Sequence, residues 1–457
     1  MNKFLLDALS CPFCSGEFTV SSVEGKPDDC QYAVLSCYCE KYPVVAGIPI
    51  IRKGIIGNSG ETTRTVSELI ISGRHQDALL AVTMPPAPAL EELAPAWSQH
   101  FPKIKGMGRI RNLFGKVAMS TWAKSRREFL AAGPERKTAA AYLNMCFGMR
   151  DQSKDYHAMM HRFGQPRQLV SLSLMTVIES PRGPVLDFGC GFGHLTCHLV
   201  RRLGPQPIIG VDLDFVRVYI AKNFLAPDAL YVCCDGNTSL PFRSGFFSTV
   251  YSSDTLFMVP NKVVCTRELR RVVDREGLIV IPGIRNGLVE PEKYPIAMIV
   301  PYHAYGKLFD PLPHRLINNT EVIDRYIKKC GPALARSSER QSIEQAPWFS
   351  IVATNREELL VDRGPFADWP HAQGMLGINP LYKPSTNDRN GSGDTVYRHT
   401  FPSSWYQQED GDCRKYEPES VSISSRILKD LSSRKRTTEM EDLIAQCVIV
   451  GLPDRFH

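Results

Sequence analysis

The sequence has 457 residues, 43% of them hydrophobic and 22% charged, and a formal net charge of +6. That length predicts about three domains, and the composition predicts a soluble globular protein with no uncharged apolar run long enough to span a bilayer. The opening MNKFLLDALSCPF has a short apolar stretch interrupted by Asp7, unlike a signal peptide. A cytoplasmic location is therefore expected, and the 14 cysteines read as thiols or metal ligands rather than disulfides. The mild positive charge identifies no partner.

Cys11-Pro12-Phe13-Cys14 comes first, and Cys37-Tyr38-Cys39 follows. Two thiolate pairs on short turns can close a tetrahedral zinc site, and such a site holds together a module too small for its own core. CPFC…CYCEKYPVVAGIPII resembles the short zinc-ribbon module related to the tRNA-methyltransferase activator adaptors, which also occurs fused ahead of methyltransferase domains. The second pair of that module is usually Cys-x-x-Cys and is Cys-x-Cys here, so Cys30 stands as an alternative to Cys39. The resemblance implies a module over residues 1–56 with one structural zinc on Cys11, Cys14, Cys37 and Cys39.

Residues 57–154 read as a linker and helical region. Periodicity over 65–82 is helical, Pro85-Pro86-Ala87-Pro88 is a breaker, and 101–137 carries ten Lys or Arg against Glu128 and Glu135. Ile110, Leu113, Phe114, Val117 and Thr121 fall at helical spacing, so one face is apolar and the other basic. The expected role is a solvated helix lying on its own domain, with an RNA-backbone or anionic-lipid contact as the alternative. Further helices over 138–179 include Tyr156, His157 and His161, which the family resemblance carried by the next stretch implies as candidates for the wall of an acceptor pocket.

Val185-Leu186-Asp187-Phe188-Gly189-Cys190-Gly191-Phe192-Gly193-His194-Leu195 organises the rest. An apolar strand runs into three glycines at alternate positions and then a helix. Glycines at such a turn allow positive φ and close approach of a ligand, and the helix start offers free N–H groups to an anion. A dinucleotide fingerprint would need its third glycine where His194 stands. Downstream, Ile208 to Asp214 is a second strand carrying Asp212, whose carboxylate can accept both ribose hydroxyls. Leu230 to Gly236, Phe247 to Met258 and Glu268 to Ile281 supply the third, fourth and fifth strands. VLDFGCGFGHL and these landmarks resemble the class I S-adenosylmethionine-dependent methyltransferases (methyltransferase type 11-like). The resemblance covers about 155–355 and implies an α/β fold with a doubly wound, mostly parallel seven-stranded sheet. It implies S-adenosylmethionine held by Asp187, Gly189, Cys190, Gly191, Gly193 and Asp212, with Asp235 and Gly236 at the adenine edge and Ser253 as a further contact.

A substrate-facing lid is expected over 286–316, a helix over 321–331, and the last two strands over 334–341 and 348–354. Asp254 reads either as a base or acceptor-orienting group or as a helix cap. Residues 356–457 read as a C-terminal appendage of unassigned role, with 384–394 loop-like and aromatics on both sides. Three functions are weighed: a methyltransferase for a small-molecule or biosynthetic-intermediate acceptor, an RNA methyltransferase, and a non-catalytic binding protein with the same fold. The first is expected, with no acceptor atom, catalytic residue or oligomeric state assigned.

Overall fold

The computed structural model describes residues 1–26, 29–56, 60–83, 124–147, 154–289, 299–389 and 394–456. Its strands are β1 (Thr19–Lys26), β2 (Asp29–Ser36), β3 (Lys41–Val45), β4 (Ile48–Ile51), β5 (Val185–Phe188), β6 (Ile208–Asp212), β7 (Leu230–Cys234), β8 (Phe247–Tyr251), β9 (Val273–Arg285), β10 (His314–Asn318) and β11 (Trp348–Thr354). They form one eleven-stranded sheet in the order β1-β2-β3-β4-β7-β6-β5-β8-β9-β11-β10. From β4 to β9 every pairing is parallel, whereas β11 is antiparallel to both neighbours.

The central strands are apolar without alternation, as strands covered on both faces must be: every residue of β5 and of β8 is buried. Successive residues feed two cores. Val185 and Ile208 pack with the helices Pro166–Met175, His194–Leu203 and Phe215–Ile220 on one face. Leu186 and Ile209 pack with Lys262–Val272 and Lys3–Ala8 on the other. Strand order reverses at β5, between β6 and β8, and a ligand crevice in such a sheet lies beyond the carboxyl ends of the strands at that switch.

Several expectations change. The N-terminal module is continuous with the seven strands β5–β11: β4 pairs with β7 through Ile50↔Cys233 and Ile51↔Cys234. All four β4 residues are buried and apolar, and β7 would otherwise be a bare edge. The sixth of the seven strands β5–β11 in chain order is His314–Asn318, inside the expected lid, while the expected strand over 334–341 is irregular chain leading into the helix Arg340–Gln345. The helical stretch over 65–82 is two helices, Thr63–Ile71 and His75–Thr83, separated by Gly73 at φ 72°. The expected linker at 85–88 and residues 101–123 of the basic segment lie outside the described residues. Within the described part, Arg127 donates to Asp77 Oδ1 at 3.0 Å.

The C-terminal residues are ordered into β12 (Met375–Ile378), β13 (Tyr382–Arg389), β14 (Thr395–His399), β15 (Ser420–Ile423) and β16 (Ile449–Leu452), which pair as β12-β16 and β13-β14-β15. Part of the expected loop at 384–394 is therefore strand. These residues share a core with the glycine-motif helix, whose Arg201 donates to Gln373 O at 2.8 Å and Leu452 O at 3.2 Å. No helix among the described residues is long and apolar enough to cross a membrane.

Candidate cofactor and metal sites

At the end of β5 the chain turns through Gly189, Gly191 and Gly193 at φ 73°, 53° and 86°, a region that costs residues with a Cβ about 1–2 kcal/mol each. A Cβ on Gly189 would lie 2.2 Å from Thr255 Oγ1, and one on Gly193 would lie 2.8 Å from Ala221 Cβ. Nothing stands within 4 Å of the same atom on Gly191. Two glycines thus let the backbone pack and the middle one borders open space at the strand ends, a cradle that a side chain would fill. Beneath the turn, buried Asp187 accepts from Thr196 Oγ1 at 2.6 Å. Burial pushes its carboxyl up to about 7 against that hydrogen bond, and the charge of Asp212 adds to the rise. The Cys190 side chain packs toward Gly210, and its Sγ donates to Gly191 O at 3.8 Å. His194 opens the helix and donates from Nε2 to Met159 O at 2.8 Å. Burial lowers its pKa to about 3, so the ring is neutral.

Across the turn, Asp212 ends β6. Its Oδ2 accepts the Gly191 N–H at 2.9 Å and its Oδ1 the Asp214 N–H at 3.0 Å, which fixes the carboxylate while each oxygen keeps a further lone pair. At the end of β7, Asp235 Oδ1 accepts from the backbone and side chain of Asn237 at 2.8 and 2.9 Å, an Asx turn. Gly236 lies on the Phe188 ring, whose Cζ would be 2.4 Å from an added Cβ. Ser253 turns elsewhere: its Oγ is 2.8 Å from Ser171 Oγ, buried against the helix Pro166–Met175. The residue after β8 that touches the glycine turn is Thr255, donating to Gly189 O at 3.3 Å. Sequence reading missed it although it stands two positions from Ser253.

A cluster of charges lies beyond the end of β8. Asp254, at φ 52°, pairs through Oδ2 with Arg162 at 2.5 Å and Arg167 at 3.8 Å. Gly283 must be glycine beside it, because a Cβ there would sit 2.2 Å from Asp254 Oδ1. Arg167 also faces Asp410 Oδ1 at 3.5 Å, and Arg285 pairs with Glu409. The Trp348 ring has Arg285 4.1 Å and Arg167 5.3 Å from its centroid. All six charged side chains are at most 16% exposed, and charges that deep require partners. Glu409 and Asp410 close the helix Ser404–Asp410, so the C-terminal segment covers this side of the crevice. His157 stacks on His161 at 5.5 Å and meets Tyr406 of that helix edge-on at 6.2 Å. Of the cluster, the sequence reading weighed Asp254 alone, because nothing local in the chain joins positions 167 and 410.

In the N-terminal module the Sγ atoms of Cys11, Cys14, Cys37 and Cys39 all lie within 4.8 Å of one another, with Cys11–Cys39 at 3.6 Å and Cys37–Cys39 at 3.7 Å. Zinc–sulfur bonds of about 2.3 Å in a tetrahedron require sulfurs roughly 3.8 Å apart, so the four thiols fit the ion. Burial raises the Cys11 thiol pKa, but the N–H groups of Phe13 and Cys14 outweigh it and bring the value to about 7, favouring thiolate. Cys30 stands apart, its Sγ 3.5 Å from Met1 O.

Residues 186–281 match the family described as Methyltransferase domain, a stretch that holds Asp187, the three glycines of the turn, Asp212, Asp235, Gly236 and Asp254. The chain is 31% identical over 102 residues to 2-methyl-6-phytyl-1,4-hydroquinone methyltransferase of Synechocystis sp., covering 22% of this chain and 32% of that protein. It is 27% identical over 193 residues to chloroplastic tocopherol O-methyltransferase of Arabidopsis thaliana, covering 36% of this chain and 53% of that one. The chain therefore spans about a third to a half of these relatives' own length. Geranyl diphosphate C-methyltransferase from Streptomyces coelicolor A3(2), solved with S-adenosyl-L-homocysteine, is 18% identical at a TM-score of 0.32, covering 40% of this chain and 74% of that one.

Proposed function

We propose that the chain is an S-adenosylmethionine-dependent methyltransferase for a small-molecule acceptor. The observation that carries this is the open cradle at Gly191 facing the fixed carboxylate of Asp212, inside the stretch that matches the methyltransferase family. When bound, S-adenosylmethionine supplies a sulfonium methyl group open to in-line displacement by a nucleophile. The chain's own part is positioning. Asp212 takes the ribose hydroxyls, Asp235 and Gly236 border the adenine, and the N-terminus of the helix His194–Leu203 receives the carboxylate of the amino-acid end. The acceptor approaches from the side of Asp254, where the buried charge cluster keeps water out. Two relatives named for small organic acceptors support the acceptor class.

The same reading gives the N-terminal module one structural zinc on Cys11, Cys14, Cys37 and Cys39. No described feature favours an RNA acceptor over a small molecule. Calorimetry tests the proposal: S-adenosylmethionine and S-adenosylhomocysteine should bind and NAD should not. Asp212→Ala should lose about 1.5–3 kcal/mol of that affinity, typical of hydrogen bonds to a charged group. Unchanged affinity in this variant would remove Asp212 from the site.

A further inference from the structure

We propose that Asp410, supplied by the C-terminal segment, is an acceptor-binding carboxylate, and that the acceptor meets it with an uncharged hydroxyl or amino group. This rests on the methyltransferase reading above and narrows its substrate class.

Position comes first. Asp410 is joined through Arg167 to Asp254, and Asp254 is flanked by Thr255, which is bonded to the glycine turn. Two side chains, Arg167 and Asp254, thus link this carboxylate to the end of β8 beside the glycine turn. Satisfaction comes second. Asp410 is 2% exposed, yet its Oδ2 has no hydrogen-bond partner among the described residues. Asp254 Oδ1 and Oδ2 and Arg167 Nε, in the same cluster, are buried and without hydrogen-bond partners in the same sense, Oδ2 holding only its ion pairs to Arg162 and Arg167. An orphaned buried polar atom is unfavourable, and four such atoms at one place are rarely tolerated in a purely structural network. Three acceptors and one donor left over are what a group bearing both O–H or N–H and a lone pair would complete.

Charge decides which group. Arg162, Arg167 and Arg285 stand against Asp254, Glu409 and Asp410, so the cluster is already neutral. An anionic or a cationic acceptor would bury an uncompensated charge, which is strongly unfavourable. A neutral hydroxyl or amine adds hydrogen bonds without adding charge. Burial also raises the Asp410 carboxyl above its ordinary value, with Arg167 and Arg162 opposing, which strengthens it as a hydrogen-bond acceptor.

The test uses the full chain saturated with S-adenosylhomocysteine, titrated by calorimetry with 1,4-hydroquinone and with 1,4-dimethoxybenzene, its counterpart without hydroxyl donors. Hydroquinone should bind at least tenfold more tightly than the ether. Asp410→Asn should erase that difference while leaving S-adenosylhomocysteine affinity within twofold. Should Asp410→Asn not fold, Asp410→Glu takes its place with the same expectation, since one added methylene displaces the carboxylate. Equal affinity for the two probes, no hydroquinone binding to a chain that holds S-adenosylhomocysteine, or a preference that survives the substitution each overturns the proposal. Failure to bind S-adenosylhomocysteine would instead sink the methyltransferase reading.

Discussion

Glycines at 189, 191 and 193 look equivalent in the sequence and are not equivalent in the fold. Gly191→Ala meets open space and only the left-handed backbone opposes it, so it should cost about 1–2 kcal/mol of stability. Gly189→Ala adds a clash with Thr255, and overpacking of that kind adds about 1–3 kcal/mol more. Urea denaturation should separate the two, while cofactor affinity should suffer in Gly191→Ala, whose methyl group enters the cradle. Asp187 makes a second prediction at this scale. Its folded pKa of about 7 lies above the ordinary 3.8, so the folded state prefers the protonated form. Its contribution is present in full below about 4 and is lost as pH rises through 7. Asp187→Asn should therefore flatten the fall in stability between pH 4.5 and 7.5, read as the difference between wild-type and variant denaturation curves. Glycine turns and strand-terminal acids such as Asp212 leave a local trace because φ and strand ends impose residue types. Asp410 leaves none: its meaning comes from Arg167, 243 positions away.

The parallel strands β5 to β8 declare themselves as short apolar runs between turn signals, and the structure begins or ends each within a few residues of where the sequence places it. β10 hides because it is the sheet's outermost strand on that side, with only Ile317 and Asn318 of HRLIN buried, and a half-covered edge needs no apolar pattern. The helix Ser404–Asp410 hides for the opposite reason: it is mostly polar, SWYQQED, and is fixed by ion pairs rather than by an apolar stripe. Those pairs set its energetics. Glu409→Ala would leave the Arg285 guanidinium buried with much less compensation, and breaking such a pair typically costs about 3–5 kcal/mol. We expect a loss of that size by chemical denaturation, accompanied by faster hydrogen exchange over 404–410. A wild-type exchange pattern would mean that the helix is held by its aromatic contacts instead.

For the whole molecule the decisive feature is the β4–β7 pairing, which makes the cysteine-bearing module part of the sheet that carries Asp212 and Asp235. Arg52, just past β4, donates to Leu213 O at 2.9 Å, so the module also touches the loop beyond Asp212. Elemental analysis of protein purified without added metal should find one zinc per chain, and a strong chelator should weaken cofactor binding as well as unfold the N-terminus. A chain lacking residues 1–56 should self-associate in light scattering, because β7 then presents an unpaired edge. The pairing also imposes an order in time. Its two strands lie roughly 180 positions apart, so on the ribosome β4 is made well before its partner exists. At about 5–20 residues per second, an apolar, hydrogen-bond-hungry strand waits on the order of 10–40 s for β7 to emerge. During that interval the chain is open to capture by other nascent chains, and synthesis at high local concentration is where its yield should first be lost.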